Sequence, residues 1–161
     1  MSRAPFQVLV FPFRRAAEAK VEHFEYAVFK RADAGYWQAI AGGGEDDEQP
    51  IAAARREAYE EAEILPASSY YPLDSVARIP TYFFDARSAW PKSTYVIPNH
   101  CFAVEVPNTG PGTDIVLSHE HSEYRWVSFP EGTELLYWED NRTALWELNE
   151  RLLNGDLPQP I

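Results

Sequence analysis

The sequence predicts an α/β sandwich built on a mixed β-sheet. Three observations carry that prediction. Short apolar runs of strand length recur along most of the 161 residues, one strong helical pattern interrupts them mid-chain, and a second helical pattern closes the chain. A length of this order suggests one domain, residues 1–161, since domains usually hold roughly 100–200 residues. No internal repeat, low-complexity tract or interdomain linker divides it.

The elements follow in order. Gln7 to Phe13 (QVLVFPF) reads as a buried strand, and Pro12 suggests a sheet edge or a strand end. Polar Arg14 to Glu22 suggests a hairpin loop before a second strand, Phe24 to Arg31. Tyr36 to Ala41 is short and apolar and runs into Gly42, Gly43 and Gly44. A helix is expected from Pro50 to about Ile64, with proline suited to its first turn and the acids Glu45 to Glu48 suited to the positive end of its dipole. Ile51, Ala54, Ala58, Ala62 and Leu65 form its apolar face. Strands are expected again at Leu73–Ile79, Thr81–Phe84, His100–Val106 and Tyr124–Val127. Asp85 to Pro98 reads as a long loop, of the kind that often borders a binding site. A last helix is expected over Glu139–Leu153, with Leu145, Trp146, Leu148, Leu152 and Leu153 on its apolar face.

Charge and composition exclude several classes. The 25 Asp and Glu against 14 Lys and Arg give a formal net charge of −11. A phosphate backbone attracts basic surfaces, so a nucleic-acid partner is not expected. Cys101 is the single cysteine, which rules out an intrachain disulfide and suits a small core residue better than a nucleophile. The apolar start is too short for a signal segment, and no run approaches the ~18 apolar residues of a membrane span. The expectation is a soluble cytoplasmic protein with no membrane partner.

Chemistry concentrates in Gly42 to Ile64, GGGEDDEQPIAAARREAYEEAEI. On a helix, Glu57, Glu60 and Glu61 stand at i, i+3 and i+4, so their carboxylates share a face and repel one another. A hard divalent cation removes that repulsion, and Mg²⁺ takes oxygen ligands while keeping waters and binding phosphates. An acidic run on a helix is more often a plain solvated face. The glycine triplet upstream argues otherwise, because it lets the backbone approach a ligand. Arg56 stands where it can hold carboxylates by charge-assisted bonds.

The pattern Gly42, five residues, Glu48, seven residues, Arg56-Glu57, then Glu60-Glu61 and Ile64 resembles the signature box of the Nudix hydrolases. One fixed position departs: Glu63 stands where the box has a glycine. A left-handed helix end is implied there, at a cost of about 1 kcal/mol for a residue with a Cβ. The resemblance implies an α/β/α sandwich and hydrolysis of a nucleoside diphosphate linked to another group. It implies that Glu57, Glu60 and Glu61 hold Mg²⁺, or Mn²⁺ in its place. The Ala41 carbonyl would add a ligand beside Gly42, and Arg56 and Glu48 would orient the glutamates.

Tyr36-Trp37-Gln38, then Glu120-His121 to Trp126, then Trp138 and Asn141-Arg142 resemble the dihydroneopterin triphosphate (dATP) pyrophosphohydrolase branch. That likeness implies Glu120 as a further ligand or general base. Trp37, Trp138, Asn141, Lys30 and Arg31 become candidates for meeting the substrate. Each has a plainer reading: buried tryptophans are usually core, strand-end basic residues are usually solvated, and Asn141 can serve the last helix. Trp126 reads as core, and Trp90 is assigned to neither. A zinc site at His119 and His121 is disfavoured, because no Cys or third His lies at a suitable spacing. The expected activity is Mg²⁺-dependent pyrophosphohydrolysis of a nucleoside or pterin triphosphate. Hydrolysis of dinucleoside polyphosphates or nucleotide sugars stays open, as do a noncatalytic nucleotide sensor and a homodimer.

Overall fold

The computed structural model describes residues 2–18 and 21–161. Seven strands form one mixed sheet, with strands β1 (Arg3–Glu18), β2 (Val21–Arg31), β3 (Trp37–Gln38), β4 (Ile40–Glu45), β5 (Tyr70–Pro80), β6 (Val96–Glu105) and β7 (His121–Val127). Helix α1 (Pro50–Ala62) follows β4, and α2 (Phe129–Leu135) and α3 (Glu139–Leu153) follow β7. The predicted α/β sandwich is therefore observed.

Strand β1 organises the sheet. Along one edge it runs parallel to β6 from Gln7↔Asn99 to Phe13↔Glu105. Along the other it pairs first with β4, up to Val10↔Ile40, and then with β2, from Phe13↔Tyr26 onward. Pro12 is thus neither at a sheet edge nor at a strand end. It sits where β1 changes partner, between the last β4 pair and the first β2 pair, so a missing N–H is tolerated mid-strand there. The expected hairpin loop Arg14–Glu22 is mostly strand, since Arg14↔Glu25 through Glu18↔Val21 are paired; residues 19 and 20 lie outside the described residues.

Alternation along the strands divides the core into two layers. Leu9, Phe11, Phe13, Tyr26, Val28, Cys101 and Ala103 face α3, where Ala144, Leu145, Leu148 and Leu152 meet them. Val8, Val10, Ala27, Phe29, Phe102 and Val104 face α1, where Ala53, Ala54, Ala58 and Ala62 lie fully buried. Alanines at these positions let the helix approach the sheet closely enough to bring its acidic edge to the strand ends. Leu65, expected on this face, lies beyond the helix end and is exposed; Trp146 and Leu153, expected on the apolar face of α3, lie within that helix and are exposed too. Thr81–Phe83 is a 3₁₀ turn rather than a strand, and a second turn, Asp85–Ala89, occupies the expected long loop.

Helix α1 ends as the unusual box residue requires. Glu63 adopts φ 53°, ψ 32°, and its N–H donates to the Tyr59 carbonyl at 2.9 Å, while Ile64 N–H donates to Ala58 at 3.2 Å. The left-handed turn survives without glycine. At the start, Gln49 provides no side-chain cap and no acid occupies the first turn; of the upstream acids, Glu45 and Glu48 meet Arg56 instead and Asp46 accepts the Ser2 N–H.

Candidate active site

The site lies where the C-terminal half of α1 faces the end of β4. Across the acidic face burial is graded: Glu60 is exposed, Glu57 mostly covered, and Glu61 only 1% exposed. Glu61 points back to the sheet and accepts the Ala41 N–H at 3.2 Å, while its Oε1 is buried with no hydrogen-bond partner. Gly42 is required next door, because a Cβ built there would lie inside the Glu57 carboxylate.

Arg56 gathers the loop and the helix around one guanidinium. Its Nε and one terminal nitrogen bind both oxygens of Glu48 at 2.9 Å, and the same terminal nitrogen donates to the Gly43 carbonyl at 2.8 Å. The other terminal nitrogen reaches Glu57 at 2.8 Å and Glu60 at 3.2 Å. Glu48 also accepts the Glu45 N–H at 2.9 Å, which fixes the loop after the glycines. These bonds raise the Arg56 pKa and hold that of Glu48 below the usual carboxylate range.

Glu120 arrives from the loop before β7. Its carbonyl accepts the Ala32 N–H at 2.9 Å, and Ser118 N–H two residues earlier donates to the Glu61 carbonyl at 3.3 Å. The side chains of Glu61 and Glu120 meet. Burial pushes Glu61 far up, and the close approach of Glu120 adds to the rise; the same approach holds Glu120 below its ordinary value. Of the two, Glu61 is the carboxyl whose surroundings favour the protonated form. Glu57 is pushed up to about 7, chiefly by burial and against the pull of Arg56.

Among the described residues, no group of three His, Cys, Asp or Glu side chains is arranged to hold a metal ion as the structure stands. Arg56 holds Glu57 and Glu60, and Glu61 and Glu120 hold each other. The donor set nonetheless fits a hard divalent cation. All donors are oxygens, Glu61 keeps a buried oxygen without a partner, and burial raises both Glu57 and Glu61.

Beside the acids opens a cavity of ≈ 880 Å³ whose wall includes Ala41. Of the sequence-predicted substrate residues, Arg31, Trp138 and Asn141 line it. Arg31 is clamped by Asp33 at 2.6 and 3.0 Å. Trp138 stands edge-on to Tyr36, with ring centroids 5.5 Å apart. Asn141 is buried and bonds the Ala39 N–H at 2.8 Å. Two candidates are placed elsewhere. Trp37 packs into the core layer facing α3, with Arg125 over its ring, and its neighbours Tyr36 and Gln38 reach the cavity instead. Lys30 precedes Arg31 on β2 and, by alternation, does not share its wall. Trp126 is partly buried against the opposite layer under Arg14, and Trp90 is buried, its Nε1–H donating to the Arg3 carbonyl at 2.7 Å.

Sequence reasoning assigned no role to Gln7, Gln38, Asn99, Phe83, Phe84 or Asp140, all of which line the cavity. The overlooked signal was an amide inside an apolar strand, Asn99 in β6 being the plainest instance.

Comparison with known proteins agrees with this arrangement. A family model described as NUDIX domain matches residues 9–146. The chain belongs to the Nudix family. A Listeria monocytogenes protein assigned as a Nudix hydrolase shares 45% identity and superposes with a TM-score of 0.81, covering 96% of this chain and 98% of that one. The Escherichia coli dihydroneopterin triphosphate pyrophosphohydrolase, at 22% identity, superposes with a TM-score of 0.69 over 93% of this chain and 98% of its own, a likeness of fold. A Myxococcus xanthus octanoyltransferase is 31% identical over 115 residues, 69% of this chain but 28% of that protein. The chain thus spans little more than a quarter of that relative's length. Nudix hydrolases generally use divalent metals. No helix among the described residues is long and apolar enough to cross a membrane.

Proposed function

We propose that this Nudix hydrolase is a Mg²⁺-dependent pyrophosphohydrolase that splits a nucleoside or pterin triphosphate into the monophosphate and pyrophosphate. The observation that carries this reading is the juxtaposition of the acidic face of α1 with a large, aromatic-walled cavity that shares Ala41 with it. Tyr36, Phe83, Phe84 and Trp138 line that cavity and would border the ring of such a substrate, and Ala41 joins its wall to the acids.

Glu57, Glu60, Glu61 and Glu120 would hold the metal, with the Ala41 carbonyl as a further donor. The ion supplies neutralisation of phosphate charge and a lowered pKa for the attacking water. Arg56 and Glu48 hold the glutamates on one face. A carboxylate of this group accepts the water's proton, and Arg31 offers positive charge at the cavity wall. Water adds to phosphorus as the bond to the pyrophosphate oxygen breaks.

The test is a panel of nucleoside triphosphates, a pterin triphosphate, dinucleoside polyphosphates and nucleotide sugars, assayed with Mg²⁺ for pyrophosphate and phosphate separately. Pyrophosphate from a triphosphate is expected. Turnover confined to dinucleoside polyphosphates or sugars, or tight binding without turnover, would overturn the proposal. In the same assay Glu61→Gln is expected to keep the fold and lose at least about a hundredfold in rate.

A further inference from the structure

Arg3, the first residue of β1, is half-buried, and its partners are carbonyls and rings rather than a carboxylate. One terminal nitrogen donates to the carbonyls of Ala4 and Phe6, the latter at 2.7 Å, and the other donates to Gln7 Oε1. The guanidinium carbon stands 5.5 Å from the Phe84 ring centroid and 5.7 Å from that of Trp90. The Arg3 carbonyl accepts Trp90 Nε1–H at 2.7 Å, so the backbone and the side chain of one residue hold the same tryptophan. Arg3 also lies against the glycine loop, because a Cβ built on Gly43 would fall inside its guanidinium. The carbonyl of that same glycine accepts Arg56 at 2.8 Å. Burial lowers the Arg3 pKa and the charge of Glu57 opposes that fall, so the guanidinium is within electrostatic reach of the acidic face.

Arg3 thus joins two parts of the site that are remote in sequence. One is the loop of Gly42 and Gly43. The other is the segment 81–95, closed at its neck by Thr81 N–H donating to the Tyr95 carbonyl at 2.9 Å, which carries Phe83 and Phe84 to the cavity wall. Inside the segment, Phe84 N–H donates to Thr81, Trp90 to Arg87 and Thr94 to Pro91, bonds that shape its turns without attaching them to the sheet. Arg3 supplies an attachment through Phe84 and Trp90. A guanidinium suits this place because it donates to carbonyls in its plane while its faces pack on rings; a lysine ammonium is a point charge and does not do both. We propose that Arg3 is a positioning residue for the substrate: acting through Phe84, it fixes the aromatic wall relative to the glycine loop and so governs affinity rather than the chemical step. Glu57 and Glu60 are held separately, by Arg56, so a loosened wall leaves them in place.

This inference rests on the proposed hydrolysis, and its test separates the two. With the triphosphate that the panel shows to be turned over fastest, Arg3→Gln is expected to raise KM at least about tenfold and to leave kcat within about twofold, the pattern of lost uniform binding. Arg3→Lys keeps the charge and should not restore KM. Phe84→Leu should raise KM in the same way. The double variant should then be within about twofold of the worse single one, because both changes remove one contact. Hydrogen exchange of residues 81–95 should quicken at least about tenfold in Arg3→Gln while α1 keeps its protection. If Arg3→Gln does not fold, Trp90→Phe, which removes the bond to the Arg3 carbonyl, carries both measurements. A fall in kcat at unchanged KM, full rescue by lysine, additive losses or unaltered exchange would overturn the proposal. If no triphosphate is turned over, the hydrolytic reading fails, and the exchange of 81–95 still decides whether Arg3 holds the wall.

Discussion

At the scale of single residues, Glu61 holds a costly position. It is a carboxyl with 1% exposure, one unpaired oxygen, and another carboxylate against it. Its folded pKa lies far above that of a glutamate in an unfolded chain. Such a group contributes stability at low pH and loses it progressively as pH rises from its unfolded toward its folded value. His100 and His121, both depressed by burial, act in the opposite sense below their ordinary value of 6.5. The informative window is therefore pH 7 to 9. In the presence of a chelator, the urea midpoint should fall steadily across it, and in Glu61→Gln the fall should be clearly reduced. A flat wild-type profile would refute the assignment of the proton to Glu61. Glu63 supports a second prediction. Its left-handed φ of 53° has no obvious compensation, so Glu63→Gly should raise stability by about 1 kcal/mol in equilibrium denaturation. A destabilised glycine variant would mean that the Glu63 side chain offsets the strain.

At the scale of elements, α1 was legible because its signals are local. Pro50 starts it, alanines every few residues mark the buried face, and the acids fall on one edge. The last helix was read with its exact bounds, Glu139–Leu153, but its buried face was not: Leu145, Leu148 and Leu152 are joined by Ala144 and Asn141 rather than by Trp146 and Leu153. The short helix α2 was missed although its cap is written in the chain. Ser128 Oγ accepts the Glu131 N–H at 3.3 Å, a serine with an acid three residues on. What could not be read locally was pairing. Pro12 is tolerated because of two different partners on one edge, and Asn99 acquires its neighbours only because β6 lies beside Gln7 and its amide reaches Asp140. The same dependence marks Gly42 as an element-level constraint. Gly42→Ala would drive a methyl into Glu57, so metal affinity should drop by at least about tenfold, the scale of a disturbed supporting contact, while α1 remains folded. Calorimetric titration with Mn²⁺ alongside circular dichroism checks both halves of that statement.

At the scale of the whole molecule, the charge of −11 and the acidic site are parts of one electrostatic problem. Excess like charge destabilises a compact state, and every small cation screens it to some degree. A divalent ion at the proposed site would do more, because it would lie among carboxyls held at about 7 and above by burial and mutual repulsion, and would invert the local sign. The two effects separate at matched ionic strength. NaCl should stabilise the protein only through screening, and Glu57→Gln should respond to it as the wild type does. MgCl₂ at the same ionic strength should add specific stabilisation, about 2.7 kcal/mol when the free ion exceeds its dissociation constant a hundredfold. Glu57→Gln should lose most of that increment, because removing one carboxylate weakens the cation's site while changing the net charge by a single unit. Thermal denaturation of both proteins in the two salts gives the comparison directly. Equal Mg²⁺ and Na⁺ responses in the wild type would make the acidic face of α1 an ordinary solvated surface. Equal Mg²⁺ increments in wild type and variant would place the ion elsewhere on the acidic exterior.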